Sequence, residues 1–180
     1  KSIKPTHKAL KSKNKPYSGL LYAGWMSKKN EPYLIEYNIR MGDPECQVIL
    51  PRLKTDIVNI LNNTTLNKLT NTKINWKKQK SMTIVLCAKG YPGKYKKNLK
   101  INNLNKIKLL NKDFIYHAGT KNFKDEIRSD GGRVLNITSI GNSFNNIRKR
   151  IISIIKNLNW TQGFYRRDIG WKVINKNENY

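Results

Sequence analysis

Acidic residues are scarce in this chain, which has 11 Asp plus Glu against 36 Lys plus Arg and a formal net charge of +25. Taken alone, such an excess favours a nucleic-acid or anionic-membrane partner. However, Lys, Asn and Ile together make up roughly two-fifths of the chain, an enrichment that AT-rich codons would impose on any protein. The charge is therefore weak evidence about partners, and a basic nucleic-acid-binding module is only an alternative interpretation.

Cysteines and long apolar runs are also scarce. The two cysteines, Cys46 and Cys87, are too few for a disulfide framework or a four-cysteine metal site. No run approaches the ~20 apolar residues that span a bilayer, and the first ten residues lack the apolar stretch of a signal peptide. We therefore expect free thiols, no membrane partner and a cytoplasmic location. Because residue 1 is Lys rather than Met, we also expect the chain to be part of a longer protein.

Short apolar runs separated by turn residues predict an α+β fold of two parts. In the first part, two aromatic and apolar runs joined by a polar turn are typical of a hairpin. The predicted elements are strands over Tyr17–Met26 and Tyr33–Arg40 and helices over Thr6–Lys13 and Thr55–Leu69, the last with Thr55 as its N-cap. The composition turns polar from Asn67 to Lys80, so we place a domain boundary near Asn75, between residues 1–75 and 76–180.

The second part is predicted to be a small β-rich domain with one long helix. Its predicted elements are strands over Met82–Ala88, Asp113–Ala118, Arg133–Thr138 and Gly163–Val173 and a helix over Ser143–Leu158. The helix carries Ile147, Ile151 and Ile154 on one face, which is the pattern of a helix that packs on a sheet. The lysine- and asparagine-rich segment from Lys94 to Lys112 is predicted to be a solvated loop.

The stretch from Leu34 to Glu45 carries the most chemical information. Side chains alternate faces along a strand, so Glu36, Asn38 and Arg40 share one face. The opposite face is apolar and is predicted to be buried; its residues are Ile35, Tyr37 and Ile39. A carboxylate and an amide oxygen two residues apart suit Mg²⁺, and an arginine beside them can meet phosphate charge. The same spacing is also typical of a half-buried strand whose polar face is simply hydrated.

Six motifs, in order, resemble the glycinamide ribonucleotide synthetase (phosphoribosylamine-glycine ligase) family, whose members are ATP-grasp enzymes of purine synthesis. The most specific of them is the run from Arg40 to Val48. The others are Pro16–Gly24, Gly90–Gly93, His117–Thr120, Gly131–Leu135 and Arg166–Trp171. The resemblance implies the latter part of an ATP-grasp domain, of antiparallel strands plus helices, followed by a small carboxy-terminal domain. The amino-terminal domain and the first half of the ATP-grasp unit are missing, so we expect the fragment to be inactive alone.

The resemblance also implies roles for single residues on the first part of the chain. Glu36 and Asn38 correspond to the family's metal ligands for Mg²⁺ or Mn²⁺. Arg40 is expected to lie beside the phosphates, the alternative being an ion pair with Asp43 or Glu45. Asp43 and Glu45 are expected either to orient an amine substrate or to anchor their loop, since short acids beside Gly and Pro often stabilise turns.

Three further positions are interpreted with the help of the resemblance. Met26 is a candidate for contact with the adenine of ATP, the alternative being an ordinary core residue. His117, at a strand end, is expected to be a hydrogen-bonded structural residue rather than a catalyst. Asn98 stands where the family usually has a turn glycine, and Asn is the side chain that best tolerates a positive φ.

The reaction implied by the resemblance joins glycine to 5-phosphoribosylamine at the expense of ATP. It gives glycinamide ribonucleotide, ADP and phosphate through a glycyl-phosphate intermediate. The expected partners are these three substrates and the missing amino-terminal part of the same enzyme, with no specific nucleic acid. A different ATP-grasp carboxylate-amine ligase is the alternative enzyme.

Overall fold

A computed structural model describes residues 2 to 175, which divide into two compact units. Within the described residues, unit 1 comprises 2–46 and 53–76, and unit 2 comprises 47–52 and 77–175. The combination of helices with antiparallel sheets agrees with the predicted α+β class. No helix between residues 2 and 175 is long and apolar enough to cross a membrane.

Unit 1 contains the predicted hairpin. In chain order, the elements up to residue 76 are α1 (Ile3–Ser12), β1 (Tyr22–Lys28), β2 (Glu31–Asn38), α2 (Cys46–Ile49), a 3-10 turn (Leu50–Arg52), α3 (Ile57–Thr65) and a second 3-10 turn (Leu69–Asn71). Lys29 and Asn30 have φ values of 50° and 64°, the left-handed conformation that a two-residue hairpin turn needs. β1 begins later than predicted, at Tyr22. In the segment before it, the Tyr17 hydroxyl donates to the carbonyl of Leu20 at 2.8 Å.

The apolar face of β2 is exposed, so the prediction that it faces a core is wrong for the described structure. Ile35 and Ile39 are 61% and 75% exposed. Between them, the Tyr37 hydroxyl lies 2.6 Å from Oγ1 of Thr6 on α1. A two-stranded sheet has no second layer of its own to cover a face, so this apolar face is open to solvent in the described structure.

Helix α3 is capped by Asp56 rather than by Thr55. The Asp56 carboxylate accepts a hydrogen bond from the backbone N–H of Val58 at 2.8 Å, which is the N-cap geometry. The Thr55 hydroxyl instead accepts from the N–H of Asn75 at 2.8 Å. The prediction of the cap is therefore wrong by one residue, because the neighbouring hydroxyl is used to hold a distant loop.

Unit 2 is a four-stranded antiparallel sheet with one long helix and a separate hairpin. Its elements from residue 77 onward are β3 (Lys80–Ala88), a 3-10 turn (Leu104–Lys106), β4 (Asp113–His117), β5 (Thr120–Phe123), β6 (Glu126–Ser129), β7 (Arg133–Gly141), α4 (Phe144–Leu158), β8 (Gly163–Phe164) and α5 (Trp171–Asn175). The strand order is β4-β7-β3-β8, and β5 pairs with β6. The predicted strand over Gly163–Val173 is wrong, since only its first two residues pair and a helix begins at Trp171. The β5–β6 hairpin was not predicted.

The core of unit 2 is centred on β7, which is buried from Val134 to Ile140. β7 pairs with β3 on one side and β4 on the other, and the buried face of α4 packs on the sheet with Ile147 and Ile151 fully enclosed. The segment from Lys94 to Lys112 contributes Ile101 to this core. The prediction of a solvated loop is therefore wrong for that part of the segment.

A buried polar network joins β4, β7 and α4. The Asp113 side chain is only 4% exposed, accepts a hydrogen bond from the Ser139 hydroxyl and lies 3.3 Å from Nε of Arg150. Nη2 of Arg150 donates to Oγ of Ser139 and to the carbonyl of Ile140, both at 2.6 Å. The network therefore compensates a carboxylate that the core would otherwise leave without a partner.

We expect Arg150→Met to lower the free energy of unfolding by ~3 kcal/mol, because it leaves the buried Asp113 charge without its cationic partner. Arg166→Met is the matched control, since its partner Asp168 is exposed, and we expect it to cost less than ~1 kcal/mol. Urea denaturation followed by far-ultraviolet circular dichroism measures both values. Equal losses in the two variants would contradict a stabilising role for the buried pair.

Candidate functional site

Glu36 and Asn38 lie on one face of β2, as the alternation of side chains predicts. Nδ2 of Asn38 donates to Oε1 of Glu36 at 3.0 Å, so the ends of the two side chains are in contact. Glu36 is exposed and Asn38 is half-buried. The shared face is confirmed, while the metal role of the two residues stays a prediction.

Gly24 lies directly across the hairpin from Glu36. A Cβ atom at Gly24 would lie 3.2 Å from Cγ of Glu36 and 3.5 Å from Cε1 of Tyr22. The first distance is shorter than most van der Waals contacts of a Cβ atom, and the second is at the short end of their ordinary range. The absence of a side chain at Gly24 therefore lets the Glu36 side chain and the Tyr22 ring lie beside the hairpin backbone.

Tyr22 connects this face to the turn that follows β2. It pairs with Asn38 in the register of the hairpin, and its hydroxyl donates to Oε1 of Glu45 at 3.1 Å. Burial raises the pKa of Tyr22, and the hydrogen bond to Glu45 and the charges of Glu45 and Glu36 raise it further. Sequence reasoning missed Tyr22 as a site residue, although it stands two positions before Gly24 in the motif Pro16–Gly24.

The other predicted site residues of unit 1 lie at the surface. Nη1 of Arg40 donates to the carbonyl of Met41 at 2.8 Å, just beyond the end of β2. Asp43 is exposed in the turn that follows. Met26 is 60% exposed on β1, so its interpretation as an ordinary core residue is wrong. The proposed contacts of Arg40, Asp43 and Met26 with ligands stay predictions.

The donor atoms on the polar face of β2 suit a hard divalent cation. They are the carboxylate oxygens of Glu36 and the amide oxygen of Asn38. Rotation of the Asn38 amide exchanges the positions of its oxygen and nitrogen, so the oxygen can point toward Glu36. Mg²⁺ usually keeps several waters and binds one or two protein groups together with substrate phosphates. Within residues 2 to 175, no group of three or more His, Cys, Asp or Glu residues is arranged to hold a metal. A cation here would therefore need ligands beyond these two side chains.

Three of the glycine-containing motifs come together in unit 2, namely Gly90–Gly93, His117–Thr120 and Gly131–Leu135. A Cβ at Gly119 would lie 2.5 Å from Cα of Gly131, and a Cβ at Gly132 would lie 2.1 Å from Cδ2 of Tyr91. Close packing of the loops is therefore sufficient to require these glycines. His117, in the same region, has Nδ1 2.9 Å from Oγ1 of Thr120, which confirms the expected hydrogen-bonded role.

Asn98 has a φ of 62°. This positive value confirms that the asparagine adopts the backbone conformation for which a turn glycine is otherwise used.

Comparison with known proteins gives two family matches. Residues 81–172 match the phosphoribosylglycinamide synthetase C domain, and residues 1–46 match the ATP-grasp (A) domain of the same family. A crystal structure of phosphoribosylamine--glycine ligase from Thermotoga maritima is similar to this fold, with a TM-score of 0.71 and 27% identity. The similarity covers 89% of this chain and 39% of that one.

Curated relatives named phosphoribosylamine--glycine ligase extend the similarity to nearly the whole chain. The Brucella melitensis protein is 38% identical over 97% of this chain and 41% of its own length. The protein from Caldanaerobacter subterraneus is 42% identical over 94% of this chain and 40% of its own length. A chloroplastic protein from Arabidopsis thaliana is 36% identical. The chain thus spans about two-fifths of the length of the first two relatives.

We expect Glu45→Gln to lower the pKa of Tyr22 part of the way back to its ordinary value, because the substitution removes the adjacent charge while burial persists. A raised pKa means that the folded state favours the neutral phenol, so the contribution of Tyr22 to stability is intact below about pH 10 and is lost as the pH rises through the folded-state pKa. The measurement is tyrosinate absorbance against pH, with the curve of Tyr22→Phe subtracted. Glu31→Gln is the control, and a shift of the same size in that variant would contradict the assignment.

Proposed function

The chain belongs to the phosphoribosylglycinamide synthetase family, and we propose on that basis that it forms part of an ATP-dependent ligase that joins glycine to 5-phosphoribosylamine. The products are glycinamide ribonucleotide, ADP and phosphate, in purine biosynthesis. Residues 1–75 form the carboxy-terminal part of the ATP-grasp domain in this proposal, and residues 76–180 form the C domain. The observation that carries the proposal for the chemistry is the contact between Glu36 and Asn38 on one face of β2.

The proposed reaction needs no side-chain nucleophile. An oxygen of the glycine carboxylate attacks the γ-phosphorus of ATP, so that glycyl phosphate forms and ADP leaves. The amine of phosphoribosylamine then attacks the glycyl carbonyl carbon, the new C–N bond forms, and phosphate leaves as the amine loses a proton. Chemistry of this kind depends mainly on the positions of the reactants and on stabilisation of phosphate charge.

Five of the candidate residues have a defined part in the proposed reaction. Glu36 and Asn38 would hold Mg²⁺ or Mn²⁺, which when bound neutralises charge on the phosphates of ATP. Arg40 contacts the same phosphates through its guanidinium group. Asp43 orients an amine substrate, and Met26 lies against the adenine. Which of the two metals binds is a prediction. A cytoplasmic location is also a prediction.

The chain supplies only part of the proposed active site. A cofactor pocket normally buries most of its ligand from several sides, whereas Glu36, Arg40 and Met26 are exposed. The uncovered apolar face of β2, with Ile35 and Ile39, supports the proposal that the upstream part of the enzyme packs on this unit. ATP would then bind between the two parts.

We expect the 180-residue chain alone to show no ligase turnover, and a mixture with a polypeptide covering the upstream part of the enzyme to release ADP. The release should require both glycine and phosphoribosylamine. The assay measures ADP with each substrate omitted in turn, on the mixture and on each half. Robust turnover by the chain alone would contradict the proposed division of the active site. Turnover with another acid in place of glycine would favour a different ATP-grasp carboxylate-amine ligase.

We expect Glu36→Ala to lower turnover of the reconstituted enzyme by at least about a hundredfold, because it removes a proposed metal ligand. Its effect on the free energy of unfolding should be within ~0.5 kcal/mol, since an exposed side chain contributes little packing. Glu31→Ala, at the exposed start of the same strand, is the matched control and should keep its activity. A loss of activity in Glu36→Ala that follows a loss of folding would make Glu36 a structural residue.

A further inference from the structure

We infer that Tyr22 and Glu45 are positioning residues, and that their hydrogen bond fixes the turn formed by residues 42–45 against the β1–β2 hairpin. Glu45 therefore anchors the turn and is not a ligand of the amine substrate. The functional consequence rests on the proposed function, because the turn begins two residues after Arg40, the proposed phosphate contact.

Both oxygens of the Glu45 carboxylate contact the protein. Oε1 accepts the hydrogen bond from the Tyr22 hydroxyl at 3.1 Å. Oε2 lies against Gly42, where an added Cβ would be only 2.3 Å from Oε2 and 2.9 Å from Cδ. The carboxylate therefore packs directly on the Gly42 backbone, and no residue larger than glycine fits there without moving it.

The turn is also closed by its own backbone. The N–H of Cys46, the first residue of α2, donates to the carbonyl of Gly42 at 2.9 Å. The Tyr22–Glu45 bond adds a connection from β1 to a residue 23 positions later. Together the two bonds fix the segment after β2 in relation to both strands of the hairpin.

The anchor acts on the same face of the hairpin that carries the proposed metal ligands. Tyr22 is paired with Asn38, and atoms of its ring and of the Glu36 side chain lie 3.5 Å and 3.2 Å from the position that a Cβ of Gly24 would take. A shift of Tyr22 or Glu45 would therefore displace the segment after Asn38, including Arg40. This geometry favours an anchoring role for Glu45. To bind the amine substrate instead, Glu45 would have to leave its contacts with Tyr22 and Gly42.

The first test uses the 180-residue chain by itself and needs no activity. In Tyr22→Phe, which removes only the hydroxyl, we expect hydrogen exchange of the Cys46 amide to be about three- to tenfold faster, because the turn opens more often. Amides shared by β1 and β2 should exchange as before. Tyr33→Phe, which removes an exposed hydroxyl from the same hairpin, is the matched control. An unchanged Cys46 amide in Tyr22→Phe, or equal acceleration in both variants, would overturn the inference.

Substitutions at the partner residues sharpen this test. Gln at position 45 can still accept a hydrogen bond from Tyr22, so Glu45→Gln should accelerate exchange less than Glu45→Ala does. Gly42→Ala should act like Tyr22→Phe, because the new Cβ displaces the carboxylate. Adding Tyr22→Phe to Glu45→Ala should have no further effect, since the two residues act through one bond. Additive effects would overturn the inference.

The second test is kinetic and uses the reconstituted ligase. For an anchor, Tyr22→Phe and Glu45→Ala should lower kcat to similar extents while KM for glycine and for phosphoribosylamine stays within about twofold, and Glu45→Gln should be milder than Glu45→Ala. A larger rise of either KM in Glu45→Gln than in Tyr22→Phe would overturn the anchor role and make Glu45 a substrate ligand. If the wild-type mixture has no ligase activity, the proposed function fails, and hydrogen exchange still decides whether Glu45 is an anchor.

Discussion

Backbone pairing of β1 with β2 is the constraint on which the candidate site depends. The register places Gly24 opposite Glu36 and Tyr22 opposite Asn38. A strand without a predicted metal ligand thus supplies the space beside Glu36 and the hydroxyl that binds Glu45. In a strand, a slip of one residue moves every side chain to the other face. Such a slip would separate Glu36 from Tyr22 and remove the contact between Tyr22 and Glu45. The chemistry of β2 is thus inseparable from the position of β1.

Unit 2 depends on a different constraint, the burial of a single central strand on both faces. Burial of β7 from Val134 to Ile140 removes nearby polar groups from water, so that a buried charge there needs a partner. Arg150 supplies that partner for Asp113 between β4 and α4. The burial of β7 also brings neighbouring loops close enough that Gly119 and Gly131 leave no room for side chains. Gly119, Gly131 and Gly132 are thus explained by packing.

The features predicted correctly from the sequence are those that depend on local periodicity. Alternation along β2 predicted the shared face of Glu36 and Asn38, and the isoleucine spacing predicted α4. The contact between Tyr22 and Glu45 was not predictable, because it joins residues far apart in sequence through a register that the pattern does not specify. The exposure of Ile35 was likewise not predictable, since alternation shows that a face is apolar but not whether another layer covers it.

The exposed hairpin of unit 1 has a consequence for how copies of the chain behave in solution. In the described structure each strand has one edge with unpaired backbone groups, and an apolar face lies beside it. This combination is a template for edge-to-edge assembly. The net charge of +25 opposes such assembly through mutual repulsion, and salt screens that repulsion within about 10 Å at 0.1 M. Repulsion between copies is therefore expected to be strongest at low ionic strength and to weaken as salt is added.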